Sequence, residues 1–351
     1  RKIEPYFDSG DPKFATELIL LTASLKIPFV EIPVNYRSRV GESTIISHWY
    51  KLIRWAFKLM WFFFSFRAKW MLGKIKPNPE NVFKVNNVCR GCESRDLVKF
   101  LDFGNQPAAN SFQNKEELTG DEPRFPLEVY FCGNCNLVQL IHVVDPTAMF
   151  RNYIYLSSGI PKVSPYWQAY AQQVMADYLP EKNRFIVEFG SNDGILLKFF
   201  KDSGHKVLGV DPAENVAKIA EGRGVPTIVD FFGEVVASEI VKNHGRAEVI
   251  IANNVLAHTD DHQDICRGVK TLLAPKGVWV IEAPYLIDMF ENLTYDTIYH
   301  EHLSFLSIRP LQKLFARHGL EIFNANVVQA QGQSLRLFVG YRGNHLVLET
   351  V

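Results

Sequence analysis

Two C-x-x-C pairs, Cys89-Arg-Gly-Cys92 and Cys132-Gly-Asn-Cys135, stand 39 residues apart. Each pair lets two thiolates turn onto one ion, and two pairs close a tetrahedron of sulfurs, the arrangement of structural zinc. No other feature constrains the fold so tightly, because four ligands from two distant segments must be brought to one point. Gly91 and Gly133 suit the tight turns that this requires. A four-sulfur site leaves no open position, so the expected metal is structural, one zinc on Cys89, Cys92, Cys132 and Cys135. Redox pairs or packed free thiols are the competing readings. The remaining cysteine, Cys266, falls in a helical pattern and reads as core. Five cysteines in 351 residues are too few for a secreted disulfide scaffold, and the pairing points to a metal site in a reducing compartment.

From Phe185 the chain alternates strand-like and helix-like runs. RFIVEFG, KVLGVD, AEVIIANN and GVWVIEAP are rich in Val and Ile, and GILLKFFKDSG, AENVAKIAEGRG and DHQDICRGVKTLLAPKG lie between them as helices. This spacing predicts an α/β fold with a doubly wound, parallel, Rossmann-like sheet. VEFGSNDGILL (187–197) reads as strand, tight turn and helix start. Gly190 and Gly194 let the backbone approach a ligand, but their spacing is not G-x-G-x-x-G, so a dinucleotide pyrophosphate is not indicated. Glu188 and Asp193 make the loop acidic, which repels pyrophosphate and suits a cation. S-adenosylmethionine (SAM) carries a sulfonium and an ammonium and fits. Ser191 and Asn192 complete the candidate cofactor loop. Asp211 at the end of the second strand is placed to accept the ribose hydroxyls, and Asn253 and Asn254 end the fourth strand, where such sheets keep their ligand crevice. A ligand-free α/β domain is the alternative.

The first 75 residues differ in character. Phe14 to Leu25 reads as a helix and KIPFVEIPVNYRSR as a short strand. Residues 49–66 are strongly apolar but interrupted by Lys51, Arg54 and Lys58 at helical spacing. That suits a helix lying in a membrane's headgroup plane better than a spanning one, with a buried or partner-packing helix as the alternative. The expected location is therefore cytoplasmic, with peripheral membrane contact. Pro- and Asn-rich residues 76–87 read as a linker. The expected organisation continues with a zinc module over 88–150, a SAM-binding domain over 151–284 and a partial C-terminal substrate domain over 285–351. Lys and Arg balance Asp and Glu at 38 each, which gives no support to a nucleic-acid partner. Oligomeric state is not legible. The chain opens at Arg1 in mid-pattern and reads as a fragment.

The cysteine module, VEFGSNDGILL, ANNVLAHTDD, IEAPYL and YHEHLSF resemble, in this order, motifs of the SAM-dependent C-methyltransferases of deoxysugar biosynthesis, which act on nucleotide-linked 4-keto-6-deoxy sugars. The resemblance covers residues 86–351. It implies a zinc module, a central SAM domain and a C-terminal α/β domain that completes the sugar site, whose pattern would continue past Val351. It also implies a catalytic set: His302 as general base, Glu301 as a hydrogen-bonding or orienting group, Tyr299 as donor to the keto or enolate oxygen, and Tyr155 near the sugar. The implied reaction is methyl transfer to a carbon next to the ketone, with carbon 3 favoured and carbon 5 the alternative. Such a carbon needs a base for its C–H proton and a donor for the developing oxyanion, and neutral imidazole is suited to the first task. The alternatives are metal binding by His300 and His302 with Glu301, or a turn-capping role for the two histidines. At the level of the whole chain they are a sugar O-methyltransferase, an inactive SAM-binding fragment and a membrane-associated scaffold. Residues 1–75 resemble the tail of a family 2 glycosyltransferase acting on polyprenyl phosphate, but no aspartate pair accompanies them, so no glycosyl transfer is assigned.

Overall fold

The computed structural model describes residues 83–110, 122–150, 153, 155–159, 163–329 and 333–351. The glycosyltransferase-like segment, its helix and strand, and the amphipathic stretch at 49–66 all lie outside these residues. No helix among the described residues is long and apolar enough to cross a membrane.

Residues 76–82 of the expected linker lie outside the described residues. The linker's end forms strand β1 (Phe83–Val85), which pairs antiparallel with β5 (His142–Val144). Between them, β2 (Leu97–Pro107), β3 (Arg124–Cys132) and β4 (Val138–Leu140) form a small antiparallel sheet. On β3, Phe125, Leu127 and Val129 turn inward at every second residue, the period that buries one face of a strand. A fourth strand, β11 (Ser304–Phe305), joins from far along the chain, so the order is β11-β4-β3-β2. The cysteine module is thus stitched directly to the segment that follows His302.

After the short helix α1 (Pro146–Phe150) and helix α2 (Val163–Tyr178), the predicted alternation appears. It runs β6 (Phe185–Phe189), α3 (Ile195–Asp202), β7 (Lys206–Val210), α4 (Glu214–Gly222), β8 (Thr227–Ile228), α5 (Glu234–His244), β9 (Ala247–Asn253), α6 (His262–Leu272) and β10 (Leu273–Pro284). Strands β8, β7, β6, β9 and β10 are parallel neighbours. All of β6 is buried, because helices cover both faces of a parallel sheet. Ile186, Val249, Ile251, Val278 and Val280 face α2 and α3, and pack with Trp167, Tyr170 and Phe200. Val187, Phe189, Ile250, Trp279 and Ile281 face the other way, onto Ile240, Ile265, Cys266 and Leu272. Each fully buried side chain of this kind contributes about 1.5–3 kcal/mol. Cys89, Cys132 and Cys135 sit in that second core, so the sulfur cluster packs as part of it.

One sequence expectation is corrected, and one expected domain boundary falls inside the sheet. The last helix of the alternation was expected to run through APKG to Gly277. It is capped at its start by the Asp261 side chain, which accepts from the Asp264 amide at 2.8 Å, but it stops at Leu272. Pro275 lacks the amide that a further turn would need, and the chain from Leu273 is already extended. The boundary expected at residue 285 is not a boundary of the sheet. After α7 (Leu286–Glu291) and α8 (Ile308–Arg317), β12 (Leu320–Val328) and β13 (Ser334–Tyr341) return to it. Strand β13 lies antiparallel to β10, and β12 to β13, so the order is β12-β13-β10-β9-β6-β7-β8.

Candidate active site

The two cysteine turns repeat one hydrogen-bond pattern. The Glu93 amide donates to the Cys89 carbonyl and the Cys89 amide to the Ser94 carbonyl; Asn136 to Cys132 and Cys132 to Leu137 repeat both bonds at 2.8–2.9 Å. The left-handed residues are Glu93 and Asn136, with φ of 60° and 70°, and not the glycines. A Cβ on Gly133 would lie 2.1 Å from the exposed Asp96 carboxylate, which would have to swing aside. Gly91 is under no such demand, since the nearest atom to its would-be Cβ is at 3.5 Å. The four Sγ atoms lie within 4.8 Å of one another, with Cys89 to Cys135 at 3.4 Å and Cys92 to Cys132 at 3.6 Å. Four thiolates about 2.3 Å from one ion stand about 3.8 Å apart, so the donor set fits zinc. The hydrogen bond between Cys89 and Cys135 lowers the first thiol and raises the second, so the metal-free pair shares one proton. Cys266 is separate and fully buried, and burial pushes its thiol up.

At the carboxyl ends of the parallel strands lies a cavity of about 1120 Å³. Its cofactor end is lined by Glu188, Gly190, Ser191, Asn192, Asp211, Asn253 and Asn254. Gly190 has a φ of 66°, and a Cβ there would stand 2.1 Å from Val255 Cγ2, so only glycine fits. Asp211 is oriented by backbone: its two oxygens accept from the Asn192 amide at 2.8 Å and the Ala213 amide at 2.9 Å. Burial raises its carboxyl. Glu188 is raised much further, by burial first and then by Asp211 and Asp193. One Glu188 oxygen meets the Asn253 amide at 3.5 Å, and the other has no hydrogen-bond partner. The Ser191 hydroxyl and the Asn254 side-chain oxygen are buried and unpartnered too. Unsatisfied buried polar atoms of this kind mark a place that a ligand completes, and a carboxylate oxygen suits the ammonium and ribose hydroxyls of SAM.

Two expected cofactor residues are placed elsewhere. Asp193 and Gly194 do not line the cavity. Asp193 is fully buried, ion-paired to Arg223 at 3.0 Å, and accepts from Ser158. The left-handed Asn192, with a φ of 49°, turns the following side chain away. Gly194 packs against helix α4, its would-be Cβ 3.0 Å from Ala220. Asp230, Phe231 and Phe232, just past β8, line the cavity and were not singled out from sequence. Their position after the third strand of the alternation was the available signal.

The other end of the cavity holds Tyr299 and His302, together with Tyr155, Tyr153 and His258. The His302 Nδ1 donates to the Thr297 carbonyl at 2.7 Å, which leaves Nε2 as the lone-pair nitrogen. Tyr299 donates its hydroxyl to that nitrogen at 3.0 Å. Burial lowers His302 below the usual histidine range and raises Tyr299 to about 12, so the pair is neutral near pH 7. The His258 ring stands edge-on to that of His302, centroids 4.9 Å apart, and is pushed down to about 3 by burial and then by His302. His258 stands within ANNVLAHTDD without an assigned role, and Tyr153 was not singled out from sequence.

Glu301 does not line the cavity. It is buried beside it, one oxygen accepting from Asn110 at 2.6 Å and the other unpartnered, and burial raises its carboxyl. His300 turns into the cysteine module and meets the Phe125 carbonyl at 3.2 Å. The H-x-H pair therefore does not converge, and among the described residues only the four cysteines form a metal-competent group.

A family model for a zinc binding domain matches residues 89–150, and one for a methyltransferase domain matches residues 166–325. The C-methyltransferase NovU of Streptomyces niveus is 34% identical over 259 residues, which cover 74% of this chain and 62% of that protein. The chain thus spans less than two thirds of that relative's length. Among solved structures, magnesium protoporphyrin IX methyltransferase (ChlM) from Synechocystis PCC 6803 with bound SAH is similar at a TM-score of 0.39 and 13% identity, over 50% of this chain and 82% of that one. A SAM-dependent methyltransferase from Clostridium acetobutylicum ATCC 824 is similar at 0.41 and 12%, over 51% of this chain and 92% of that one.

Proposed function

We propose that this chain, which joins a zinc-binding domain to a SAM-dependent methyltransferase domain, methylates a carbon alpha to the keto group of a nucleotide-linked 4-keto-deoxysugar. The observation that carries this reading is His302: a neutral imidazole whose lone pair is left on Nε2, beside the Tyr299 hydroxyl, in a residue that lines the same cavity as the acidic cofactor end. Methylation of oxygen or nitrogen needs no base for a C–H proton, whereas a carbon next to a ketone does. SAM, when bound, supplies the electrophilic methyl group. The rest falls to the chain's own residues.

His302 Nε2 takes the α proton, and the Thr297 carbonyl holds the ring and stabilises the imidazolium that forms. Tyr299 now donates to Nε2. With a ketone present its hydroxyl turns to the carbonyl oxygen, which frees the imidazole lone pair and stabilises the developing enolate. Burial keeps Tyr299 protonated and able to donate. His258, kept neutral beside His302, adds no positive charge that would depress the base further. Glu301 acts from behind the wall through Asn110, which lines the cavity. Tyr153 and Tyr155 form the wall against the sugar. Glu188 and Asp211 hold the cationic and ribose ends of the cofactor.

The test is solvent exchange at carbon. The wild-type chain, saturated with S-adenosylhomocysteine (SAH) in D₂O, is expected to exchange the hydrogen alpha to the ketone in at least one of a panel of nucleotide-linked 4-keto-6-deoxy sugars. His302→Ala is expected to slow this by about 10²–10⁴-fold. Exchange at the wild-type rate in His302→Ala would remove the base. Methyl transfer without any exchange would reassign the acceptor to oxygen.

A further inference from the structure

The segment that carries Tyr153 and Tyr155 has no regular structure at its described residues 153 and 155–159. Side chains of the cofactor-binding half hold it instead. The Asn215 amide brackets Tyr153, accepting from its N–H at 3.1 Å and donating to its carbonyl at 2.7 Å. The Asn192 amide does the same one step along, accepting from the Ser157 N–H at 2.9 Å and donating to the Tyr155 carbonyl at 3.0 Å. One Asp193 oxygen takes both the amide of Ser158, at 3.1 Å, and its hydroxyl, at 2.5 Å. Arg223 closes the clamp, donating to the Ser158 hydroxyl at 2.7 Å and to the Asp193 carbonyl at 2.8 Å. Each asparagine replaces a missing strand neighbour, satisfying one backbone donor and one backbone acceptor.

The clamp is not independent of the cofactor end. The Asn192 backbone N–H is bonded to Asp211, and Asn192 itself lines the cavity. Any ligand that fixes the Asp211 carboxylate therefore also fixes the residue that grips the tyrosine segment. The side chain of Asn215, on helix α4, touches that segment but does not line the cavity.

We propose that Asn192 and Asn215 are positioning residues that couple the two halves of the site, so that cofactor binding orders the tyrosine wall against which the acceptor sugar sits. This rests on the methyl-transfer reading only for the identity of the second ligand. Coupling of this kind is reciprocal and typically amounts to between about 5- and 150-fold in affinity.

The experiment uses the full chain and SAH as probe, with Asn215→Ala and Asn215→Asp as variants. Hydrogen exchange is followed at the amides of 153 and 155–159 with and without SAH, and SAH affinity is measured by calorimetry. In the wild type, SAH is expected to slow these amides by roughly tenfold. Asn215→Ala is expected to lose most of this slowing while SAH affinity changes less than about threefold. Asn215→Asp, which keeps the acceptor for the Tyr153 amide but loses the donor, falls between the two. Where a keto sugar is turned over, its KM is expected to rise about tenfold in Asn215→Ala with a smaller change in kcat.

Wild-type amides that exchange equally with and without SAH, or full SAH-dependent slowing in Asn215→Ala, would overturn the coupling. The exchange measurement needs no sugar, so a chain that couples but methylates no sugar refutes the proposed function and leaves the clamp standing.

Discussion

The sulfur cluster and the acidic cleft are both built on turns at strand ends, yet one is complete within the chain and the other is not. In the cluster, four sulfurs from two turns converge within 4.8 Å and leave no space between them for more than an ion. In the cleft, Glu188, Ser191 and Asn254 each keep a buried polar atom with no protein partner. A closed site of this kind stabilises the fold, whereas an open one holds polar groups in reserve for a ligand and weakens the fold in its absence. Arg90, inside the first cysteine turn, joins the two. It is 3% exposed, ion-pairs with Asp260 at 2.9 Å, and donates to the carbonyls of Leu140 at 2.5 Å and Leu303 at 3.3 Å. Asp260 follows His258 by two residues and Leu303 follows His302 directly, so one guanidinium anchors both histidine segments to the cysteine module.

The sharpest way to break the contrast is to empty the two sites in turn. Cys135→Ser is expected to lose about one zinc per chain, and with it on the order of 5 kcal/mol or more of stability. Zinc analysis and denaturant unfolding read both numbers. Removing SAH from the cleft should cost only the linkage term, about 2.7 kcal/mol at a hundredfold excess over Kd. A metal-free chain as stable as the zinc form would erase the distinction. The next largest effect belongs to the link. Arg90→Met takes from Asp260 its buried partner, leaving it Lys84 and Asn86, and removes the guanidinium donor from the Leu140 carbonyl, with an expected loss of about 3 kcal/mol. Zinc content should stay at the wild-type level. A variant that unfolds at the wild-type denaturant midpoint would show that the module and the histidine segments hold without their anchor.

Legibility in the sequence followed locality. Strand β6 could be read because burial on both faces makes it apolar at every position but Glu188, and the cysteines because ligand spacing is a local property. The joining of β12 and β13 to the parallel sheet could not, since SLRLFVGY meets the sheet at β10, separated from it by α7, β11, α8 and β12. Strand β11 is two residues long and carries no periodicity. Side-chain direction was equally hidden. Asp193 and Glu301 stand in motifs that lie against the cavity, but a left-handed Asn192 turns the first inward, and Asn110 engages the second behind the wall. Arg90 was invisible as an anchor because a charged residue between two ligands reads as solvated until Asp260, 170 residues away, is seen beside it.

The smallest expected effect tests the open site by its sign. Burial keeps the folded Glu188 carboxyl well above its ordinary value of 4.5, so the ligand-free fold holds a proton that the unfolded chain releases as pH rises past 4.5. The folded state then binds more protons than the unfolded one, and the contribution of this group to stability falls with rising pH across that window. Glu188→Gln removes the titration and is expected to leave the ligand-free chain as stable or slightly more stable at pH 7. A cationic ligand needs the carboxylate, so SAM affinity in the wild type should rise with pH until the folded carboxyl has ionised, and stay flat in Glu188→Gln. Loss of a charged hydrogen-bond acceptor costs about 2 kcal/mol, roughly thirtyfold in Kd. Calorimetric titrations from pH 5 to pH 8, paired with unfolding of the ligand-free chain, separate the two outcomes. Opposite signs for ligand affinity and ligand-free stability identify a residue held for a ligand, whereas a loss in both would place Glu188 with Arg90 among the residues that hold the fold.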